Sequence, residues 1–277
     1  MNLLSEIVSS KQKRVDQAKK VVSLEAMRAL ASEARQDAKP HVLVKALSDD
    51  SKINIIAEFK RRSPSKGEIR RDADPEITTR AYESAGAAAV SVLTEEDYFG
   101  GSLYDLQAVG RAVSVPILRK DFIFDEYQVY ESAAAGADAV LLIVAVLDDD
   151  PLVRLRRITE DELGMTALVE VHSADEMKRA AACGARVIGV NNRDLQTFEV
   201  SLESSLYLAP LAPKGAVLIS ESGIESAEDI RRLRSVGYRA FLIGESLMRA
   251  DDPGDALRSL THTRKGAKEV GASEWSE

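Results

Sequence analysis

A short apolar run rich in Val and Ile, then a polar loop, then an amphipathic stretch: this unit recurs eight times along the sequence and constrains the fold more than any other feature. The runs lie at 53–59, 88–93, 115–118, 139–144, 167–171, 186–190, 216–220 and 240–243. Strands that read as continuous apolar runs, each followed by a helix, pair parallel with both faces covered. Helical stretches fall between them, for example at 75–85, 125–135, 174–183 and 226–235, the last two preceded by Ser173 and Ser226 as caps. Gly86, Gly136, Gly184 and Gly237 follow these stretches, where a left-handed residue closes a helix. Eight such units predict a closed α/β barrel, the (β/α)8 or TIM barrel. An open doubly wound sheet is the alternative, but it usually carries a Gly-rich fingerprint after its first strand, where this chain has EFKRRSPSKG.

The 277 residues fit one such barrel at 49–262, with a helical extension at 1–48 packing on it and a polar tail at 263–277. In the extension Leu3, Leu4, Ile7, Val8, Val15 and Ala18 follow three-and-four spacing. Ser23 can cap a second helix through Leu24, Met27 and Leu30. The Lys and Arg residues of this segment are expected to face elsewhere. No second enzyme is expected after the tail.

A formal charge of −8 gives no general attraction to nucleic acid or to an anionic membrane, so a phosphate ligand must be held locally. No apolar run approaches the roughly 20 residues that span a bilayer, and the start MNLLSEIVSSKQKR lacks the apolar core of a secretory signal. A cytoplasmic protein is expected. His41, His172 and His262 are scattered and have no ligand spacing, so no metal is expected. His172 is assigned a capping or exposed place at a helix start, and Cys183 a place in the core.

In a barrel of this kind the site is built at the carboxyl ends of the strands. Those positions hold Glu58 and Lys60, Thr94 and Glu95, Arg119, Lys120 and Asp121, Glu170, Asn191, Asn192 and Arg193, Glu221, Ser222 and Gly223, and Gly244 and Glu245. So many ionisable groups aimed at one mouth must pair with each other or with a ligand. Two lysines among carboxylates allow general acid and general base work, because proximity and burial move their pKa values. Ser222, Gly223 and Gly244, on the last two strands, let backbone N–H groups approach a phosphate. Glu245 is assigned to that cradle through its backbone rather than its carboxylate. The stretch at 63–67, with Ser63 and Lys66, reads as a flexible loop over the mouth, a flap that excludes water.

The segments IIAEFKRRSPSKG, VSVLTEEDYFGGS, ILRKDFI, ALVEVH, GVNNRDL, ISESGI and FLIGESLM, in this order over nearly the whole chain, resemble the indole-3-glycerol phosphate synthase family of tryptophan biosynthesis. The resemblance implies a carboxy-lyase without a cofactor. Its substrate would be 1-(2-carboxyphenylamino)-1-deoxyribulose 5-phosphate, converted to indole-3-glycerol phosphate with loss of carbon dioxide and water. It implies Lys120 as the acid at the ketone and Glu170 as its acid/base partner. Glu58, Lys60 and Glu170 would share the dehydration, with the division among them open. Asn191 and Arg193 would orient the anthranilate carboxylate or the charged side chains around it, and Glu221 would hold sugar hydroxyls or a neighbouring cation. Ser222, Gly223 and Gly244 would cradle the phosphate, with Ser63 contributing.

Phe99, Phe122 and Leu93 would wall the aromatic ring, although Phe99 and Leu93 fit ordinary loop packing nearly as well. Arg62 departs from the family pattern and must point outward to leave the flap room. The alternatives are another phosphosugar barrel such as phosphoribosylanthranilate isomerase, which relies on a Cys and Asp pair, and a non-catalytic barrel that binds a phosphorylated ligand. A monomer is expected, with a homodimer the alternative.

Overall fold

A computed structural model of the protein describes residues 3–194 and 197–261. The tail at 263–277 and His262 lie outside the described residues. Eight strands form a closed, wholly parallel barrel. They are β1 (Asn54–Phe59), β2 (Ala89–Leu93), β3 (Ile117–Lys120), β4 (Ala139–Ile143), β5 (Thr166–Val171), β6 (Val187–Asn191), β7 (Val217–Glu221) and β8 (Ala240–Ile243). Each pairs with the next in sequence, and β8 closes on β1, for example Ile55 against Phe241. The third strand lies two residues later than its apolar run. It starts after Pro116, which has no N–H to give a ladder, and it continues through Arg119 and Lys120, where an apolar count stops.

Side chains alternate across a strand, and this alternation builds the mouth. Ile56, Leu118, Leu141, Leu168, Ile219 and Leu242 belong to one buried cluster inside the barrel. Two residues further along the same strands stand Glu58, Lys120, Ile143, Glu170, Glu221 and, just past β8, Gly244. The charged layer therefore rests directly on an apolar one. Outward-facing residues such as Ile55, Val90, Val140, Val169 and Phe241 join the surrounding helices in a second cluster.

Those helices include α4 (Pro75–Ser84), α5 (Leu103–Ala112), α6 (Glu126–Ala134), α7 (Asp149–Arg157), α8 (Ala174–Ala182), α9 (Glu203–Leu208), α10 (Ala227–Ser235), α11 (Glu245–Arg249) and α12 (Pro253–Thr261). Ser173 and Ser226 cap α8 and α10, each accepting from the backbone N–H three residues on.

The extension consists of α1 (Leu3–Val21), α2 (Leu24–Arg35) and α3 (Val42–Leu47). Ser23 caps α2 by accepting from the N–H of Ala26. Leu43 and Leu47 of α3 are fully buried in the interior cluster and plug the amino-terminal end of the barrel.

Lys13, Lys20, Lys39 and Lys45 of the extension are exposed, as expected, but other basic residues there do not face away from the barrel. Lys11 is buried and reaches Glu96 and Asp121, Lys19 reaches Asp125, and Arg35 reaches Asp138. Apolar spacing shows which face of a helix is greasy. It gives no sign that acidic groups elsewhere on the barrel await its cations.

Candidate active site

Fifteen of the residues singled out from the sequence as catalytic, substrate-binding or phosphate-binding line one cavity of about 690 Å³ at the carboxyl ends of the strands, and Lys66 and Asp121 line it too. Thr94, Glu95, Arg119 and Asn192, expected at the same mouth, do not: they are buried behind it and bonded to neighbouring groups. At the cavity floor Lys120 Nζ lies 3.1 Å from Glu170 Oε2 and 3.1 Å from Glu221 Oε2. Across the barrel, Lys60 Nζ stands 2.7 Å from Glu58 Oε1. Glu58, Glu170 and Glu221 are all buried.

The charges in this cluster are set by their neighbours. Burial alone would discharge Lys120, but Glu170, Glu221 and Glu58 outweigh it and hold the ammonium above its ordinary range. Burial likewise pushes Glu170 up, and Lys120 and His172 more than reverse this, so Glu170 stays ionised well below the usual carboxylate range. For Glu221 burial prevails over the attraction of Lys120, and the charges of Glu170 and Glu58 add to it, so its pKa rises to about 7. One ammonium among these carboxylates keeps Glu170 charged and does not suffice to hold Glu221 in the usual carboxylate range. The floor thus presents a cation, an ionised carboxylate and a second carboxyl whose pKa is raised.

The close packing explains two glycines. A Cβ at Gly244 would press on the carboxylate and Cβ of Glu58, and one at Gly189, in the middle of β6, would fall on Oε1 of Glu221. The wall between β6 and β7 is a hydrogen-bonded unit. Ser222 Oγ donates to Asn191 Oδ1 at 2.9 Å, the Arg193 N–H donates to the same oxygen at 3.1 Å, and Asn192 Nδ2 donates to Ser220 Oγ and the Ser222 carbonyl. Ser222 and Gly223 both have positive φ, at 67° and 75°, so the turn exposes its backbone beside Gly244. The carboxylate of Glu245 is not idle. It lies among three cations, 3.3 Å from Arg249, 3.5 Å from Arg193 and 3.8 Å from Lys66.

The apolar wall joins Phe99 and Phe122, whose ring centroids are 6.2 Å apart at 41°, with Leu93. Buried Glu95 sets the Phe99 loop by accepting from the N–H groups of Asp97, Tyr98 and Phe99. Leu3, Leu4 and Ile7 of α1 complete this side of the cavity. They were visible only as a helix face, because nothing in local spacing says that the extension crosses the mouth.

Two expectations are corrected. The stretch after β1 is not a plain loop: residues Arg62–Ser63 and Gly67–Glu68 pair antiparallel as a small hairpin whose turn is at 64–66, with Gly67 just after it at φ 65°. Arg62 does not line the cavity and lies along Gly100 instead. His172 neither caps α8, a task done by Ser173, nor stands in solvent. It is largely buried, with Nε2 3.3 Å from Glu170 Oε1 and Nδ1 3.2 Å from Glu176 Oε2. Cys183 is buried at the carboxyl end of α8, away from the cavity. Among the described residues no group of three or more His, Cys, Asp or Glu side chains is arranged to hold a metal, and no helix is long and apolar enough to cross a membrane.

A closed parallel barrel with its acid/base groups at the carboxyl ends of the strands defines the chain as a (β/α)8-barrel enzyme. The family model described as indole-3-glycerol phosphate synthase matches residues 4–260, and the chain belongs to that family. Relatives bearing this name include one from Carboxydothermus hydrogenoformans, 51% identical and covering 93% of this chain and 98% of that protein. Another, from Bacteroides thetaiotaomicron, is 45% identical over 94% of this chain and 97% of its own. The solved structure of 3-hexulose-6-phosphate synthase from Salmonella typhimurium shares the fold. Its TM-score is 0.61 at 14% identity, over 75% of this chain and 96% of that one.

Proposed function

We propose that the cavity closes the indole ring of 1-(2-carboxyphenylamino)-1-deoxyribulose 5-phosphate, the carboxy-lyase reaction of tryptophan biosynthesis. The observation that carries this reading is the position of Lys120, an ammonium held between Glu170 and Glu221 on the floor of a cavity that is apolar on one side and lined by Ser222, Gly223 and Gly244 on another.

The reaction assigns a task to each group. The ring carbon that bears the carboxylate attacks the ketone carbon, and the oxygen gains negative charge as the carbon–carbon bond forms. Lys120, kept charged by its neighbours, meets that oxygen and gives it a proton. Loss of carbon dioxide from the ring carbon that made the attack returns the bonding pair to the ring and restores aromaticity. The new hydroxyl then leaves as water, with a proton supplied by an acid, while a base takes a proton from the neighbouring CH2 carbon. Ionised Glu170 suits the base, and Lys60, 2.7 Å from Glu58, suits the acid at the departing hydroxyl. Glu221 orients Lys120 from the opposite side to Glu170.

Phe99, Phe122 and Leu93 offer the aromatic ring a dry wall, and Asn191 and Arg193 orient the anthranilate carboxylate or the charged groups around it. Ser222, Gly223 and Gly244, with Ser63 and the backbone of Glu245, cradle the phosphate. The reading takes the protein as a monomer acting in the cytoplasm, with the extension at 1–48 completing the barrel at 49–262; the lining contributed by Leu3, Leu4 and Ile7 supports that last part. Incubation of the protein with the carboxyphenylamino deoxyribulose phosphate tests the reading. Indole absorbance and carbon dioxide should appear in equal amounts, and unchanged substrate would refute it.

A further inference from the structure

His172 lies just past β5, outside the cavity lining, and its ring has a carboxylate beside each nitrogen. Nδ1 is 3.2 Å from Glu176 Oε2, an oxygen that also accepts from the His172 backbone N–H at 2.7 Å. Nε2 is 3.3 Å from Glu170 Oε1 in a close contact that is not aligned as a hydrogen bond. A neutral imidazole has one N–H and one lone pair, and a lone pair turned to a carboxylate is repelled. Only the imidazolium suits both sides.

The two oxygens of Glu170 are thereby divided, Oε2 to Lys120 and Oε1 to His172. Once Lys120 has given its proton to the ketone oxygen it is a neutral amine and no longer holds Glu170 ionised. A second cation, outside the cavity and unable to reach substrate, still does. The charged groups packed against the ring are Glu170 from β5 and Glu176 from α8, while Arg179 of the next helical turn is engaged by Asp149 and by the carbonyls of Val144 and Leu147.

We propose that His172 is a positioning residue for Glu170: clamped from outside by Glu176, its imidazolium fixes the carboxylate toward Lys120 and keeps it ionised after Lys120 has donated its proton. This rests on the reading of Glu170 as the base, and two measurements keep the claims separate.

The first is the pH dependence of kcat and KM for the wild type, His172→Ala, His172→Gln and Glu176→Gln. His172→Ala should lower kcat about tenfold, leave KM within about twofold and move the acidic limb of the profile to higher pH. His172→Gln, which restores an N–H donor but not the charge, should recover part of kcat with the limb still displaced. Glu176→Gln should shift both in the same direction by less. A wild-type kcat and acidic limb in His172→Ala would overturn the proposal, as would a loss confined to KM. If that variant does not fold, an unaltered profile in Glu176→Gln overturns it.

The second measurement needs no turnover. Imidazole 15N shifts should report both ring nitrogens protonated at neutral pH in the wild type, and deprotonation at lower pH in Glu170→Gln than in the wild type. A neutral ring in the wild type would overturn the proposal, whereas absent turnover with an imidazolium present would count against the proposed activity instead.

Discussion

The ammonium of Lys11, on the first helix, lies 3.0 Å from Asp121, the residue that follows Lys120. Lys11 is 2% exposed, and Arg119 and Thr94 hold the same carboxylate from the barrel side at 3.0 and 2.6 Å. The extension is thus tied to the strand end that carries the proposed acid.

Lys11→Met keeps the length of the side chain and removes its charge. Breaking a buried pair typically costs about 3–5 kcal/mol. Arg119 and Thr94 continue to satisfy Asp121, so a loss of roughly 2–3 kcal/mol is expected. Urea unfolding measures it through the midpoint, and a stability equal to that of the wild type would show that the pair contributes little.

Stability should also report on His172. Burial alone would lower its pKa, but Glu170 and Glu176 raise it from 6.5 to about 10. The protonated ring is therefore favoured by folding. Its contribution is complete below 6.5 and is lost as pH rises through about 10. Thermal unfolding followed over this window should show a falling Tm in the wild type and a shallower fall in His172→Gln. Parallel curves for the two proteins would contradict the shift.

Gly244 gives a steric test. An added Cβ would press on the Cβ and carboxylate of Glu58. Gly244→Ala should lower kcat/KM by on the order of 10²-fold, the usual scale for a displacement of about 1 Å among reacting groups. A crystal structure of the variant should show the Glu58 carboxylate moved from Lys60. Wild-type kinetics would mean that this contact yields freely.

The barrel and its ring of charged groups were readable in the sequence because both rest on short-range regularities. Apolar runs mark strands, and the period of two places Glu58, Lys120, Glu170 and Glu221 above Ile56, Leu118, Leu168 and Ile219. What escaped is long-range or polar. Leu3, Leu4 and Ile7 reach the cavity from a helix far away in sequence, and Lys11 finds Asp121 through the tertiary fold. His172 has its partners, Glu170 and Glu176, close by in sequence, but the strand end and helix start that turn them onto the two ring nitrogens have no periodicity to reveal it. The hairpin at 62–68 was hidden by its two-residue strands, too short for any alternation to register. Gly189 carried a usable signal, since a glycine inside an apolar strand marks a close approach, here by Glu221.

The central claim is that Lys120 donates the proton that makes ring closure possible. Its most direct test is the steady-state rate of indole fluorescence from the carboxyphenylamino deoxyribulose phosphate, compared between the wild type and Lys120→Ala, with circular dichroism establishing that both are folded. A fall in kcat on the order of 10²-fold or more is predicted. A folded Lys120→Ala that turns over as fast as the wild type would contradict the account.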